Sequence, residues 1–194
     1  MSFDPLYMFV LVGLASPGPN IVMLLASGAR FGFRRTLPHV FGIALGVVVT
    51  AGLTGLGLGA LILRYPTVSF GLKVLAAGWI LYLGYRLYLS INVPKSEARD
   101  RPFTMLEAVL FQWVNPKVWA VAMAAAAGYG LGQPPVQEGL RLALTFGSIN
   151  LMVCLFYANA GNWLARFFNT PVLWHRFMTV MAVLMALSGL AIFL

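Results

Sequence analysis

Apolar residues in this chain fall in long blocks. They do not follow the spacing of an amphipathic helix or the alternation of a half-buried strand. Six blocks reach the length of about 20 residues that a helix needs to cross the hydrocarbon core of a bilayer. With proline, glycine and Arg/Lys clusters as punctuation, they run over 5–28, 38–63, 67–91, 104–128, 138–164 and 172–193. The stretch 92–103, with Pro94, Lys95, Glu97, Arg99, Asp100, Arg101 and Pro102, is the one connection with the composition of a soluble loop. The pattern predicts an all-α integral membrane protein with a single transmembrane domain over 1–194.

Two of the six spans are interrupted. Ser16-Pro17-Gly18-Pro19-Asn20 breaks helix one and Asn115-Pro116-Lys117 breaks helix four, each at a similar depth in its span. Proline inside a helix removes a backbone donor and clashes with the preceding turn. Lipid offers no partner for the backbone groups this frees, so a break persists only where protein or a water-filled cavity meets it. The half-helices beginning near Asn20 and near Lys117 would then point their N-terminal N–H groups inward from opposite directions. Such ends carry partial positive charge and bind carboxylates, while carbonyls freed at the ends of the first halves could accept from an ammonium group. Together they predict a site for a zwitterionic amino acid; the alternative is a pair of kinks that only shape the bundle. Further landmarks pair along the chain: Pro17 with Pro116 and, at a shared longer offset, Gly42 with Gly147 and Pro66 with Pro171. One insertion around 130–135 accounts for the change of offset. The reading is two three-helix repeats, about 1–91 and about 104–194, flanking the loop. Because three is odd, the second is inverted relative to the first, as in many secondary transporters; the alternative is coincidence among abundant glycines and prolines.

Charge adds orientation. Only 9% of residues are charged and 60% are hydrophobic, which excludes a soluble globular enzyme, a disordered chain and a nucleic-acid binder working through a charged face. The 13 Lys and Arg outnumber the 5 Asp and Glu. Most of the basic residues gather after helices one, three and five: Arg30, Arg34 and Arg35; Arg86, Lys95, Arg99 and Arg101; Arg166 and Arg176. Arg64 and Arg141, with Asp4 and Glu138, fall at the other ends. This asymmetry places the odd-numbered connections in the cytoplasm and both termini outside. A five-span reading with the N-terminus inside is the alternative. The N-terminus lacks the basic region of a cleavable signal peptide, Asp4 being its only charge.

Charged residues within spans are expensive and default to function. Lys117 adjoins the second break, and Lys73 lies in helix three, where it faces either the cavity or, by snorkelling, the outer surface. Gln112, Asn115, Asn150 and Asn159 line the same cavity or hold helices together; for Asn150 and Asn159 the second role is expected. His39, at the start of helix two beside Arg34 and Arg35, reads as a surface histidine, with a proton carrier as the functional alternative. Gly42 with Gly46, Gly55 with Gly59, and Ala122 with Ala126 have the small-xxx-small spacing of closely packed helices, which equally suits a homodimer face. Cys154 is the one cysteine, and neither a metal-ligand spacing, a phosphate loop nor a nucleophile–base signature is present. No metal, no cofactor and no catalytic residue are expected. Glu107 is the one acid well within a span, and it lies near the cytoplasmic end, so a carboxylate proton relay is not expected either.

These motifs resemble the LysE/RhtB family of bacterial amino-acid exporters. The resemblance rests on Ser16-Pro17-Gly18-Pro19-Asn20 followed by Gly32, Arg34 and Arg35, on Gly42-Ile43-Ala44-Leu45-Gly46, on Lys73 with Tyr82-Leu83-Gly84-Tyr85, and on Asn115-Pro116-Lys117. The stretch from Gln112 to Lys117 is similar to the branch that includes cysteine/O-acetylserine exporters. The resemblance implies export of small amino acids or their derivatives from the cytoplasm, driven by an ion gradient or the membrane potential, with Pro17, Gly18, Pro19, Asn20, Lys73, Gln112, Asn115, Pro116 and Lys117 binding the substrate. The family branch that takes lysine and arginine carries an acid a few positions after its Asn-Pro; here Ala120 and Val121 stand there. A neutral substrate is therefore expected, with a basic amino acid or another small metabolite as the alternative. A non-transporting membrane scaffold is the reading from a different class.

Overall fold

A computed structural model describes residues 4–89, 101–168 and 170–193. Of the soluble connection expected at 92–103, residues 92–100 lie outside the described residues. The described residues are helical with short turns. Helices α1 (Pro5–Ala15) and α2 (Pro19–Phe31) bend by 60° at the first break. Next come α3 (Phe33–Gly55), α4 (Leu58–Leu63) and α5 (Pro66–Leu89). The second half holds α6 (Met105–Val114), α7 (Pro116–Tyr129), α8 (Pro135–Leu164) and α9 (Pro171–Leu190). Single 3-10 turns follow α8 and α9.

Local chemistry explains the boundaries. Asp4 caps α1 by accepting from the Leu6 N–H at 3.0 Å. Ser16, which precedes Pro17, is extended at φ −66° and ψ 149° and ends the helix, since proline disfavours the helical region in the residue before it. Pro19 and Pro116 then stand at the first positions of α2 and α7, where the missing N–H is no loss. Thr104 and Glu107 form a reciprocal capping box at the start of α6. Gly32 at φ 83° ends α2 and starts α3 in a single residue, a left-handed turn that favours glycine.

Two boundaries differ from the sequence reading. Helix α3 begins at Phe33, ahead of Pro38, so that proline lies inside the helix instead of opening it. The span expected over 38–63 is divided, with α3 stopping at Gly55 and α4 completing it. The apolar pattern runs straight through both points and carries no signal for either.

Four helices are long and apolar enough to cross a membrane: α3, α5, α8 with its 3-10 turn, and α9 with its own. The bent α1–α2 pair makes a fifth. Neither α6, at 10 residues, nor α7, at 14, has that length alone.

Helices α3 and α8 form the central pair. Helices α1 and α2 lean on α8, α6 and α7 lean on α3, and α5 pairs with α9. One apolar cluster joins Leu6, Val10, Ile43, Val47, Leu142 and Phe146; a smaller one joins Val22, Ile80, Phe111, Met178 and Met185. Large apolar side chains such as Leu75, Leu144, Met152 and Phe156 point outward. Polar Thr36, His39, Thr50, Gln112, Asn115 and Asn150 point inward. Polar groups inside and apolar groups outside suit a bundle whose solvent is lipid.

The Gly42–Gly46 pair packs against α6. A Cβ on Gly46 would lie 2.5 Å from Gln112 Cγ, and one on Gly42 would collide with the Met105 carbonyl oxygen. Gly42→Val therefore forces the backbones of α3 and α6 apart. Overpacking of this kind costs about 1–3 kcal/mol. The expected thermal midpoint falls by about 3–10 °C, on the scale of about 2–4 °C per kcal/mol for a chain of this size; an unchanged midpoint in a thermal melt would contradict the contact.

Asp4, Glu138 and Arg141 gather at one end of the bundle, as their shared placement in the sequence anticipates. Arg141 pairs with Asp4 at 3.0 Å and Glu138 at 3.2 Å and donates to the Tyr129 carbonyl at 2.9 Å. The Asp4 carboxyl is held below the usual carboxylate value, first by the Leu6 N–H and then by Arg141. A lowered carboxyl pKa contributes stability above the unfolded value near 4 and loses it as pH falls through the folded value. The thermal midpoint should thus drop on acidification below about pH 4 by more in the native protein than in Asp4→Asn, which keeps the cap but not the charge. The pair is partly exposed, so the difference should stay under about 1 kcal/mol. Identical pH profiles for the two proteins would contradict it.

Candidate functional site

The two breaks meet, with Ser16 and Pro17 exposed and Gly18, Pro19 and Asn115 buried. The backbone of α1 ends facing α7, and α7 begins with Pro116 and Lys117 facing α1. Lys117 Nζ donates to the Ser16 carbonyl, and to the Pro17 carbonyl at 3.3 Å. Gly18 leaves the lane along which the lysine stem runs, since a Cβ there would stand 2.8 Å from Lys117 Cδ. Tyr157 of α8 donates its hydroxyl to the Ala15 carbonyl at 3.0 Å. The carbonyls that the first break frees are thus met by two side chains from elsewhere in the fold, as backbone at membrane depth requires.

A second bridge joins the breaks through amides. Asn20 Nδ2 donates to Gln112 Oε1 at 2.9 Å, and Gln112 Nε2 donates back to Asn20 Oδ1 at 3.2 Å and to the Ala108 carbonyl at 3.0 Å. Asn115 Nδ2 also reaches Gln112 Oε1, at 3.3 Å. Gln112 is wholly buried and Asn115 almost so. Asn115 Oδ1 is buried and has no hydrogen-bond partner among the described residues.

Neither Gly18 nor Asn115, the residues that precede α2 and α7, gives a side-chain hydrogen bond to its helix. Among the described residues, the caps therefore leave the first N–H groups of both half-helices without a side-chain acceptor, and these ends keep the anion preference of helix N-termini. A cavity of about 10 Å³ lies between them, lined by Gly18, Asn20, Asn115, Lys117, Asn150 and Cys154 with apolar neighbours. That is room for about one water molecule. Ser16 and Pro17 themselves are exposed, and the cavity beside them is too small for an amino acid unless the half-helices separate.

Of the residues expected at a substrate site, Pro17, Gly18, Pro19, Asn20, Gln112, Asn115, Pro116 and Lys117 all belong to the two breaks or to the amide bridge between them. Lys73 is exposed on α5 and does not line the cavity. His39 is buried, correcting the expectation of a surface histidine: because α3 starts at Phe33, His39 falls in its second turn and turns inward. Its ring lies 5.2 Å from that of Phe103, and neither ring nitrogen has a partner among the described residues. It borders a separate cavity of about 150 Å³ with Arg30, Arg86 and Arg101. Asn150 and Cys154, expected as glue or without role, line the site, and the Cys154 thiol donates to Asn150 Oδ1 at 3.0 Å. With Tyr157 they follow a spacing of four and three residues, the period of one helix face, a pattern that becomes legible only once the fold shows which face of α8 turns inward.

An all-α bundle with apolar helices of spanning length, polar groups turned inward and a broken helix pair meeting a second break defines a multi-pass membrane protein. The chain belongs to the LysE type translocator family, whose profile matches residues 11–194. It is a translocator, not an enzyme. It is 25% identical over 156 residues to a cysteine/O-acetylserine efflux protein of Salmonella typhimurium, covering 77% of this chain and 80% of that one. The protein of the same description in Klebsiella pneumoniae is 25% identical over 173 residues, 82% of each chain. An uncharacterized membrane protein of Pseudomonas aeruginosa is 37% identical over 112 residues, 52% of this chain and 51% of the relative. No solved structure matches the chain at a significant level.

Proposed function

We propose that this translocator exports small neutral amino acids or their derivatives, with cysteine and O-acetylserine first among the candidates, from the cytoplasm across the bacterial inner membrane by alternating access. The observation that carries the reading is the meeting of the two breaks at Lys117, which lines the small cavity between the helix N-termini and holds the exposed Ser16 and Pro17 carbonyls beside it. A zwitterion needs those three kinds of partner. Among the described residues no acid lines the cavity: Asp4, Glu107 and Glu138 sit at helix starts elsewhere. A cationic side chain would find no counter-charge there, which favours a neutral substrate.

Alternating access gains support from the packing. Helices α1 and α2 lean on α8 as α6 and α7 lean on α3, and α3 with α8 and α5 with α9 join like to like, although the packing of α2 on α3 and α9 has no counterpart in α7. A two-fold axis between α3 and α8 would generate this exchange. It fits two inverted repeats, with α6 and α7 together making a sixth, broken span, in one domain over 1–194. Rocking one repeat against the other opens the site to either side in turn. The basic excess after the first, third and fifth spans orients both termini to the periplasm.

The test is an efflux panel. Cells overexpressing the protein are loaded with single amino acids, and the external medium is assayed over time. Cysteine, O-acetylserine or another small neutral amino acid should accumulate outside several-fold above a vector control, and lysine and arginine should not. Selective export of lysine or arginine would overturn the substrate class, and no export of any amino acid would overturn the function.

A further inference from the structure

We propose that Lys117 is a built-in stand-in for the substrate's own ammonium group. A zwitterionic amino acid replaces it on the Ser16 and Pro17 carbonyls and receives the released Lys117 ammonium on its carboxylate. The inference rests on the reading of the two breaks as the transport site and adds what the lysine does there.

Three features of the geometry carry it. Lys117 Nζ lies on the Ser16 and Pro17 carbonyls, which are the acceptors that the break in helix one makes available. A primary ammonium on a flexible four-carbon stem presents the same donors as the α-ammonium of an amino acid, without the rigid fork of arginine. Asn115, whose Oδ1 is a buried acceptor without a partner among the described residues, lines the same cavity as Lys117. An incoming ammonium therefore has two exposed carbonyls that already bind its equivalent, and the cavity that Lys117 lines holds one acceptor left over. The displaced lysine stem runs alongside Gly18 and swings without passing a side chain there.

The exchange balances. One ammonium leaves the carbonyls and another takes its place, and the released ammonium meets the carboxylate that arrived with the substrate. No proton is transferred, and a zwitterion adds no net charge to the cavity. The consequence for recognition is that both ends of the substrate are required. A carboxylate without an ammonium leaves the carbonyls with Lys117, so nothing releases the lysine to receive it. An amine without a carboxylate expels Lys117 from its acceptors and offers it no new partner. A lysine that merely capped the end of α1 would impose neither requirement.

The experiment uses the purified full chain in lipid nanodiscs with its lysines labelled with nitrogen-15. The chain has three, Lys73, Lys95 and Lys117, and Lys117→Arg assigns the third ammonium signal. Reduced L-cysteine is the probe, beside cysteamine, which lacks the carboxylate, and N-acetyl-L-cysteine, which lacks the ammonium. If the efflux panel returns another amino acid, that one serves with its decarboxylated amine and its N-acetyl form. L-cysteine should move the Lys117 signal while the two single-ended analogues leave it in place at the same concentration. In Lys117→Met the carbonyls face no competitor, so the ratio of cysteamine to L-cysteine affinity should rise at least about tenfold, a change of about 1.4 kcal/mol. The labelled native protein decides the matter by itself should that variant fail to fold. Export of the amino acid with no movement of the Lys117 signal would overturn the exchange and leave the transporter standing, as would an unaltered ligand preference in Lys117→Met. Failure of the whole panel would remove the transport reading instead, and the exchange with it.

Discussion

Lys117→Ala should lower efflux about 10- to 100-fold while the protein remains inserted and at normal abundance. The residue lies where α7 meets the end of α1, with its ammonium on the Ser16 and Pro17 carbonyls. Truncation removes the group proposed to receive the substrate carboxylate. A hydrogen bond to a charged group contributes about 1.5–3 kcal/mol, which sets the expected range. The same truncation leaves the Ser16 and Pro17 carbonyls without that donor, so a modest loss of stability accompanies the loss of transport. Lys117→Arg separates the two effects. It restores charge and donors to the carbonyls, but its planar fork is a poor mimic of a primary ammonium. It should recover most of the thermal midpoint and little of the efflux. Wild-type efflux from Lys117→Ala, at matched protein levels in the membrane, would falsify the role of the lysine.

The second large effect belongs to Gln112, which joins the breaks without touching the lysine. Its side chain accepts from Asn20 and Asn115 and donates to Asn20 and the Ala108 carbonyl. Gln112→Leu is nearly the same size but leaves the Asn20 and Asn115 amides short of partners in a water-poor interior. Each orphaned group costs about 1–3 kcal/mol. At about 2–4 °C per kcal/mol for a chain of this size, two orphaned amides should lower the thermal midpoint by about 4–24 °C. Adding Asn20→Leu replaces both members of the reciprocal pair by apolar groups. The double variant should be less destabilised than the sum of the singles by about 1 kcal/mol or more. Strict additivity in the melts would mean that the two amides do not depend on each other. Efflux should fall in both single variants, because the bridge sets the distance between α2 and α7.

Much of this arrangement is legible along the chain, for a definite reason. A membrane span is announced by composition over about 20 residues, and a break within it by proline, whose missing N–H and fixed φ act locally. The breaks at Pro17, Pro19 and Pro116 therefore appear where the sequence puts them. The division at Gly55–Leu58 and the early start of α3 at Phe33 do not announce themselves. Glycines are abundant in this chain, and a single proline in a helix is tolerated when neighbouring helices satisfy the backbone. Orientation of side chains about a helix is the harder question. In a bundle whose surface is lipid, the outward face is as apolar as the core, and the hydrophobic stripe that marks the inner face of a soluble helix is missing. That is why His39 reads as a surface residue yet is buried, and why Tyr157, which donates to the Ala15 carbonyl, escapes notice.

By itself the sequence determined that this chain is an all-α membrane protein, broken in two places, with a lysine beside one break and few acids near either. All of these follow from residue type and local backbone chemistry. Only the tertiary structure decided that the breaks face each other, that Lys117 reaches the carbonyls of Ser16 and Pro17, and that Gln112 ties Asn20 to Asn115. Residues about a hundred positions apart are brought together by the packing of α3 on α8 and of the broken helices around that pair. No local property of proline, lysine or glutamine encodes which of the other polar groups in the bundle will stand opposite. That choice is made by close packing at glycines such as Gly42 and Gly46, and by the cost of leaving a backbone carbonyl unpaired away from water.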